Sequence, residues 1–280
     1  MPYFQTSDGL RLFYTDSGAA GGDAQPLLCL AGLTRDSRDF RYFAPHAKGC
    51  RLITLDARGR GASQYAEDFL TYNVLREAQD AVELLDHLDL AQAAVLGTSR
   101  GGLVAMTLAA TAKARLSAVV LNDVGPVIAP GGIARIIEYV GRKPAAKTHA
   151  QAAATLQALM TPAFPDVAPA RWLEEAQAFY DENPDGLALR YDPKLRDALL
   201  AQAEAGPPPD LWPLFEALSG LPCGALRGAN SDILDPGTFA EMQRRLPALK
   251  AAEVPRRGHV PFLDEPEALA LIRSVLETAR

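Results

Sequence analysis

Hydrophobic and polar positions alternate with period two at the start of the chain, in YFQTSDGLRLFYTDSG (residues 3–18), and Asp8-Gly9 interrupts the alternation once. That pattern predicts two antiparallel strands joined by a tight turn near a sheet edge. The pattern then changes. PLLCLAG, RLITLD, AAVLGT, SAVVLND, CGALRG and AAEVPR are short apolar runs, which predicts further strands with Leu27, Ile53, Val95, Val119, Leu226 and Val254 inside them. Amphipathic stretches separate most of these runs. At the C-terminus Ala268, Leu271, Ile272, Val275, Leu276 and Ala279 recur at helical spacing, and a second helix is predicted from about Tyr72 to Leu88, burying Leu75, Ala78, Val82 and Leu85. Strand and helix patterns in alternation predict an α/β fold, with a mostly parallel sheet of about eight strands covered by helices on both faces.

The alternation stops between Pro126 and about Leu221. TPAFPDVAPARW and AGPPPDLW are rich in proline, and the periodic segments THAQAAATLQALM and RWLEEAQAFY are helical. The expected organisation is a core of residues 1–125 and 222–280 with a helical cap inserted at 126–221. Such a cap would bring Met160, Trp172, Phe179, Tyr180, Tyr191 and Trp212 as the apolar walls of a substrate pocket.

Composition narrows the partners. The 280 residues are 48% hydrophobic, enough to bury a sizeable core. With 28 basic against 34 acidic residues the formal charge is -6, which argues against a nucleic-acid or membrane partner and for a small-molecule substrate. There is no basic start followed by an apolar run and no stretch of membrane-spanning length, so the expected location is the cytoplasm. Cys29, Cys50 and Cys223 are odd in number and lack CxxC spacing, so free thiols are expected and no metal site.

The chemistry is concentrated at AAVLGTSRGGLVAM (residues 93–106), where a strand pattern runs directly into a helical one. A strand that turns into a helix within a few residues strains the residue at the turn, and side chains two before and two after it would collide. Gly97 and Gly101 occupy those positions around Ser99. The turn lifts the Ser99 hydroxyl above the sheet and aims the first amides of the helix at whatever that oxygen attacks.

A serine needs a base. Of the four histidines, His46, His87 and His149 lie in polar or helical surroundings, whereas His259 follows the last strand in VPRRGHVPFLDEP, with Gly258 permitting a tight loop. The imidazole needs a carboxylate, and two positions compete. Asp232, in LRGANSDILDP, is favoured because its strand should neighbour the one delivering His259; Asp123, in LNDVGP, ends the strand after the nucleophile and is the alternative. Asp235 reads as a helix N-cap.

The order Ser99, Asp232, His259 and the elbow resemble a serine hydrolase of the α/β-hydrolase superfamily, over essentially the whole chain. DARGRGAS, Asp56 to Ser63, is similar to the turn after the family's fourth strand, and the resemblance gives it a structural role. LCLAGLTRDSRDF occupies the place of the family's strand-His-Gly loop, with Ala31 where the family commonly has histidine. The resemblance implies an oxyanion hole from the backbone amides of Leu33 and Arg100, acyl transfer through Ser99, and no cofactor. A serine at the elbow also speaks against the dehalogenase and epoxide hydrolase branches, which use aspartate. Arg35 and Arg100 flank the oxyanion loops; either could bind a carboxylate, but a salt bridge to Asp36, Asp56 or Asp123 is the commoner fate. The activity expected is hydrolysis of a small to medium carboxylic ester or lactone. The alternatives are carbon-carbon hydrolysis of a diketone-like ring-cleavage product by the same residues, and a receptor-like protein that closes its cap on a ligand.

Overall fold

The computed structural model describes residues 2–18, 24–206 and 209–279. The chain opens with β1 (Tyr3–Gln5) and β2 (Arg11–Asp16), paired antiparallel around a turn in which Gly9 takes φ 85°. It continues through β3 (Gln25–Leu30), β4 (Cys50–Leu55), α1 (Val74–His87), β5 (Ala93–Thr98), α2 (Arg100–Thr111) and β6 (Leu116–Asn122). A long excursion follows, made of α3 (Pro130–Tyr139), α4 (His149–Met160), α5 (Pro169–Phe179), β7 (Tyr180–Asn183), β8 (Gly186–Leu189), α6 (Leu195–Glu204) and α7 (Trp212–Glu216). The chain then returns through β9 (Cys223–Gly228), α8 (Pro236–Arg245), β10 (Lys250–Val254) and α9 (Pro266–Thr278).

Eight strands form one sheet in the order β1-β2-β4-β3-β5-β6-β9-β10, parallel from β4 to β10. Consecutive residues of its central strands enter different cores. Leu28, Leu30, Val95, Val119 and Leu121 face one side, packed with Ala81, Leu84, Leu85, Val104 and Leu108. Leu27, Cys29, Leu96 and Val120 face the other, against Phe40, Phe43, Leu271, Ile272 and Val275. Burial on both faces explains why these strands read as unbroken apolar runs.

Two local expectations differ from the structure. Leu75 of α1 is 69% exposed, while Glu77 and Asp80 of the same helix are buried. Glu77 is paired to Arg60 at 2.8 Å and to Arg100 at 2.7 Å, and Asp80 to Arg58 at 2.7 Å, so the inner stripe of α1 carries acids that arginines neutralise. Burial alone would raise the Glu77 carboxyl, but Arg100 and Arg60 outweigh it and hold it below its ordinary range. The excursion, expected to be helical, also contains the β7–β8 hairpin, in antiparallel register from Tyr180 opposite Leu189 to Asn183 opposite Gly186. Its strand YDEN carries no apolar alternation; the turn residues Pro184-Asp185-Gly186 were its one sequence signal.

Candidate functional site

The Ser99 elbow is set by sterics. Ser99 takes φ 52° and ψ -116°, between the last residue of β5 and the first of α2. A Cβ added at Gly97 would lie 2.4 Å from the Gly101 carbonyl oxygen, and one at Gly101 would lie 2.0 Å from the Leu30 carbonyl oxygen. Both glycines are therefore required by close backbone approach. The Ser99 amide donates to the Asn122 carbonyl at 3.0 Å, which ties the elbow to the end of β6.

His259 meets the elbow from the opposite side. Its Nε2 lies 2.9 Å from Ser99 Oγ and its Nδ1 lies 2.7 Å from Asp123 Oδ2. Asp123 is fully buried, in the left-handed region at φ 55°, and its carboxylate also accepts from the Gly228 amide at 2.8 Å and the Ser231 hydroxyl at 2.6 Å. The Gly228 amide thus holds Oδ1, while Oδ2 takes the Ser231 hydroxyl and faces the imidazole.

The favoured acid, Asp232, is corrected by this geometry. Its carboxylate pairs with Arg135 of α3, a third exposed, and it is Asp123 that hydrogen-bonds His259. The expected strand adjacency is present, since β9 and β10 are paired. The physical reason is the path of the histidine loop, which runs past β9 toward β6. Gly228 ends β9, and a Cβ there would stand 2.5 Å from the carbonyl oxygens of Arg257 and Gly258, so the loop crosses directly over the tip of β9. It is pinned at β6, where Asn122 Nδ2 donates to the Pro261 carbonyl at 3.1 Å. Ser231, Asn122 and Gly228 were not anticipated as supporting residues; the one sequence signal was a serine beside the favoured aspartate.

Arg100 follows the nucleophile directly as the first residue of α2, and Leu33 follows Gly32 in the loop beside it. Among the described residues neither the Leu33 nor the Arg100 backbone amide donates to a backbone carbonyl. The Leu33 peptide is held by Arg60, whose Nε donates to the Leu33 carbonyl at 2.9 Å, and the turn is closed by the Arg35 amide on the Gly32 carbonyl at 3.1 Å. A Cβ at Gly32 would sit 3.7 Å from Ser99 Cβ, so this loop lies directly beside the serine despite Ala31. The Arg100 side chain turns inward to Glu77, a carboxylate not among the three expected partners.

The aromatic residues divide. Phe179 lies under the Arg35 guanidinium, 3.1 Å from ring centroid to Cζ. Tyr180 follows it, and the hydroxyl of buried Tyr191 accepts from the Gly141 amide at 3.1 Å. Trp172 instead packs edge-on to Phe164 at 5.9 Å and Phe262 at 6.4 Å, with Met160 against the same cluster. Trp212 is taken up by Phe215 at 5.8 Å and by Arg245. Trp172, Met160 and Trp212 thus make packing contacts within the excursion and with the core. No helix among the described residues is long and apolar enough to cross a membrane.

The model of the alpha/beta hydrolase family matches residues 27–270. The chain is 36% identical over 265 residues to the 3-hydroxybutyrate-oligomer hydrolase of Cupriavidus necator, covering 90% of this chain and 88% of that protein. A crystal structure of an alpha/beta hydrolase from Novosphingobium aromaticivorans aligns with TM-score 0.91 at 41% identity, over 99% of this chain and 97% of that one. The enol-lactonase from Burkholderia xenovorans shares the fold alone, with TM-score 0.70 at 21% identity over 99% and 98% of the two chains. With the family model running from β3 into α9 and a relative aligned over nine-tenths of the chain, this protein belongs to the alpha/beta hydrolase family.

Proposed function

We propose that this hydrolase cleaves a small to medium carboxylic ester or lactone through an acyl-enzyme on Ser99, in the cytoplasm and without a cofactor. The observation that carries the reading is the unbroken line from Ser99 Oγ to His259 Nε2 at 2.9 Å and from His259 Nδ1 to Asp123 Oδ2 at 2.7 Å. His259 takes the serine proton as Oγ attacks the carbonyl, and buried Asp123 fixes the tautomer that leaves Nε2 free to accept it. The Leu33 and Arg100 amides receive the developing oxyanion, each worth roughly 3 kcal/mol in the transition state. His259 returns the proton to the leaving alcohol; it then deprotonates the water that releases the acid.

The segment 126–221 serves as the cap, since α5 and the 163–166 turn lean on the core loops around the site. Arg38 of the core donates to the carbonyls of Gln177 at 3.2 Å and Ala178 at 2.5 Å, and Asn230 donates to the Ala163 carbonyl at 3.0 Å. Similarity to a hydrolase of 3-hydroxybutyrate oligomers favours an ester of a hydroxy acid within the proposed class. The test is a 4-nitrophenyl ester series from acetate to decanoate, run on the native protein and on Ser99→Ala. The native protein should show a chain-length optimum and the variant should lose about three or more orders of magnitude in kcat. Equal inertness of both would overturn ester hydrolysis and bring diketone cleavage forward.

A further inference from the structure

The arginines around the site are almost all committed. Arg38, Arg41, Arg58, Arg60, Arg100 and Arg190 each donate hydrogen bonds to carboxylates or carbonyls. Arg35 is different. Its nearest carboxylates, Glu175 at 3.8 Å and Asp39 at 3.9 Å, stand beyond hydrogen-bond reach, and among the described residues its guanidinium has no hydrogen-bond acceptor. Glu175 is engaged by Arg41 instead. The Arg35 side chain is 25% exposed, so part of it remains open to solvent beside these two carboxylates.

Its placement is specific. The point where a Cβ would stand on Gly32 is 3.5 Å from Arg35 Cγ and 3.7 Å from Ser99 Cβ, so the arginine stem and the nucleophile flank the same glycine. The guanidinium is spread on the Phe179 ring, and its charge is felt by the phenols of exposed Tyr139, half-buried Tyr180 and buried Tyr191. The Phe179 ring under it fixes the plane of the fork and shields one of its faces from water, which strengthens a charge-assisted contact. A planar fork with unused donors in such a setting matches a carboxylate, which it can bind through two parallel hydrogen bonds.

We infer that Arg35 binds a carboxylate carried by the substrate, so that the ester presented to Ser99 is an anionic one, such as a hydroxy-acid ester with its acid group free. This rests on the Ser99 reading above and adds the substrate's charge and the residue that recognises it. Arg35 is a specificity residue here; no proton or bond passes through it.

The test compares each anionic ester with a neutral counterpart: 4-nitrophenyl hydrogen glutarate with 4-nitrophenyl valerate, and 3-acetoxybutyrate with sec-butyl acetate. They are assayed with the native protein, Arg35→Met, Arg35→Lys and Ser99→Ala, each checked for an unchanged melting profile. The native protein should prefer at least one anionic ester over its counterpart. Arg35→Met should lose about 10- to 100-fold in kcat/KM on that ester, mainly through KM, and stay within about threefold on the neutral one. Arg35→Lys, which keeps the charge without the fork, should fall between them. Equal losses on anionic and neutral esters, or no native preference in either pair, would overturn the inference. The Ser99 reading fails separately, if Ser99→Ala retains turnover of both pairs.

Discussion

Ser99 is held at φ 52°, a backbone state that costs a residue with a Cβ about 1–3 kcal/mol, and the surrounding contacts maintain it. Strain of this kind marks a functional position, and His259 and Asp123 complete the reason for it. Asp123→Asn should lower kcat by about 10³- to 10⁴-fold, because an amide facing Nδ1 favours the wrong tautomer. Asp232→Asn should stay within about twofold, since among the described residues the Asp232 carboxylate pairs with Arg135 at the surface. Steady-state kinetics on one ester checks both. Ser99 stood out in the sequence because it follows β5 directly between Gly97 and Gly101, and His259 because it lies in the loop after β10 beside Gly258. The acid was not, because the deciding fact is that the 257–261 loop passes over Gly228 to reach β6. Nothing local in LNDVGP or ANSDILDP records that crossing.

At the scale of elements, the site depends on how closely β3, the elbow and α2 approach one another. Gly101→Ala would force a methyl to 2.0 Å from the Leu30 carbonyl oxygen, so backbone must move, at a cost of about 3 kcal/mol or more. Gly32→Ala is the contrast. Its methyl would make ordinary contacts at 3.5 and 3.7 Å, so thermal melting should shift little while kcat/KM falls, because the methyl occupies space beside Ser99. Paired melting and activity measurements separate the two effects. Strand positions were readable from unbroken apolar runs, and α9 from its apolar spacing. The orientation of α1 was misread because its buried stripe includes Glu77 and Asp80, whose partners Arg58, Arg60 and Arg100 come from elsewhere in the chain. Periodicity counts apolar residues and is blind to a neutralised acid.

Across the whole molecule, the excursion and the core meet through charges on α5 and the 35–42 loop. Asp39 lies in this seam, and burial, reinforced by Glu175 and Asp36 and only partly offset by Arg35 and Arg41, pushes its carboxyl up to about 6. Between about pH 4 and pH 6 the folded protein keeps a proton there that the unfolded chain has released, so this group lowers stability as the pH rises through that window. Asp39→Asn should therefore raise the melting temperature at pH 7 by a few degrees, on the order of 1–2 kcal/mol, and leave it nearly unchanged at pH 4. A gain at pH 4 and none at pH 7 would reverse that sign. The central claim is a single activated serine. It is tested most directly by treating the native protein with an alkyl fluorophosphonate, weighing the intact chain and mapping the modified peptide. One adduct per chain on the peptide containing Ser99, absent in His259→Ala at the same exposure, is the predicted result; an adduct on another residue, or none while ester hydrolysis continues, would contradict it.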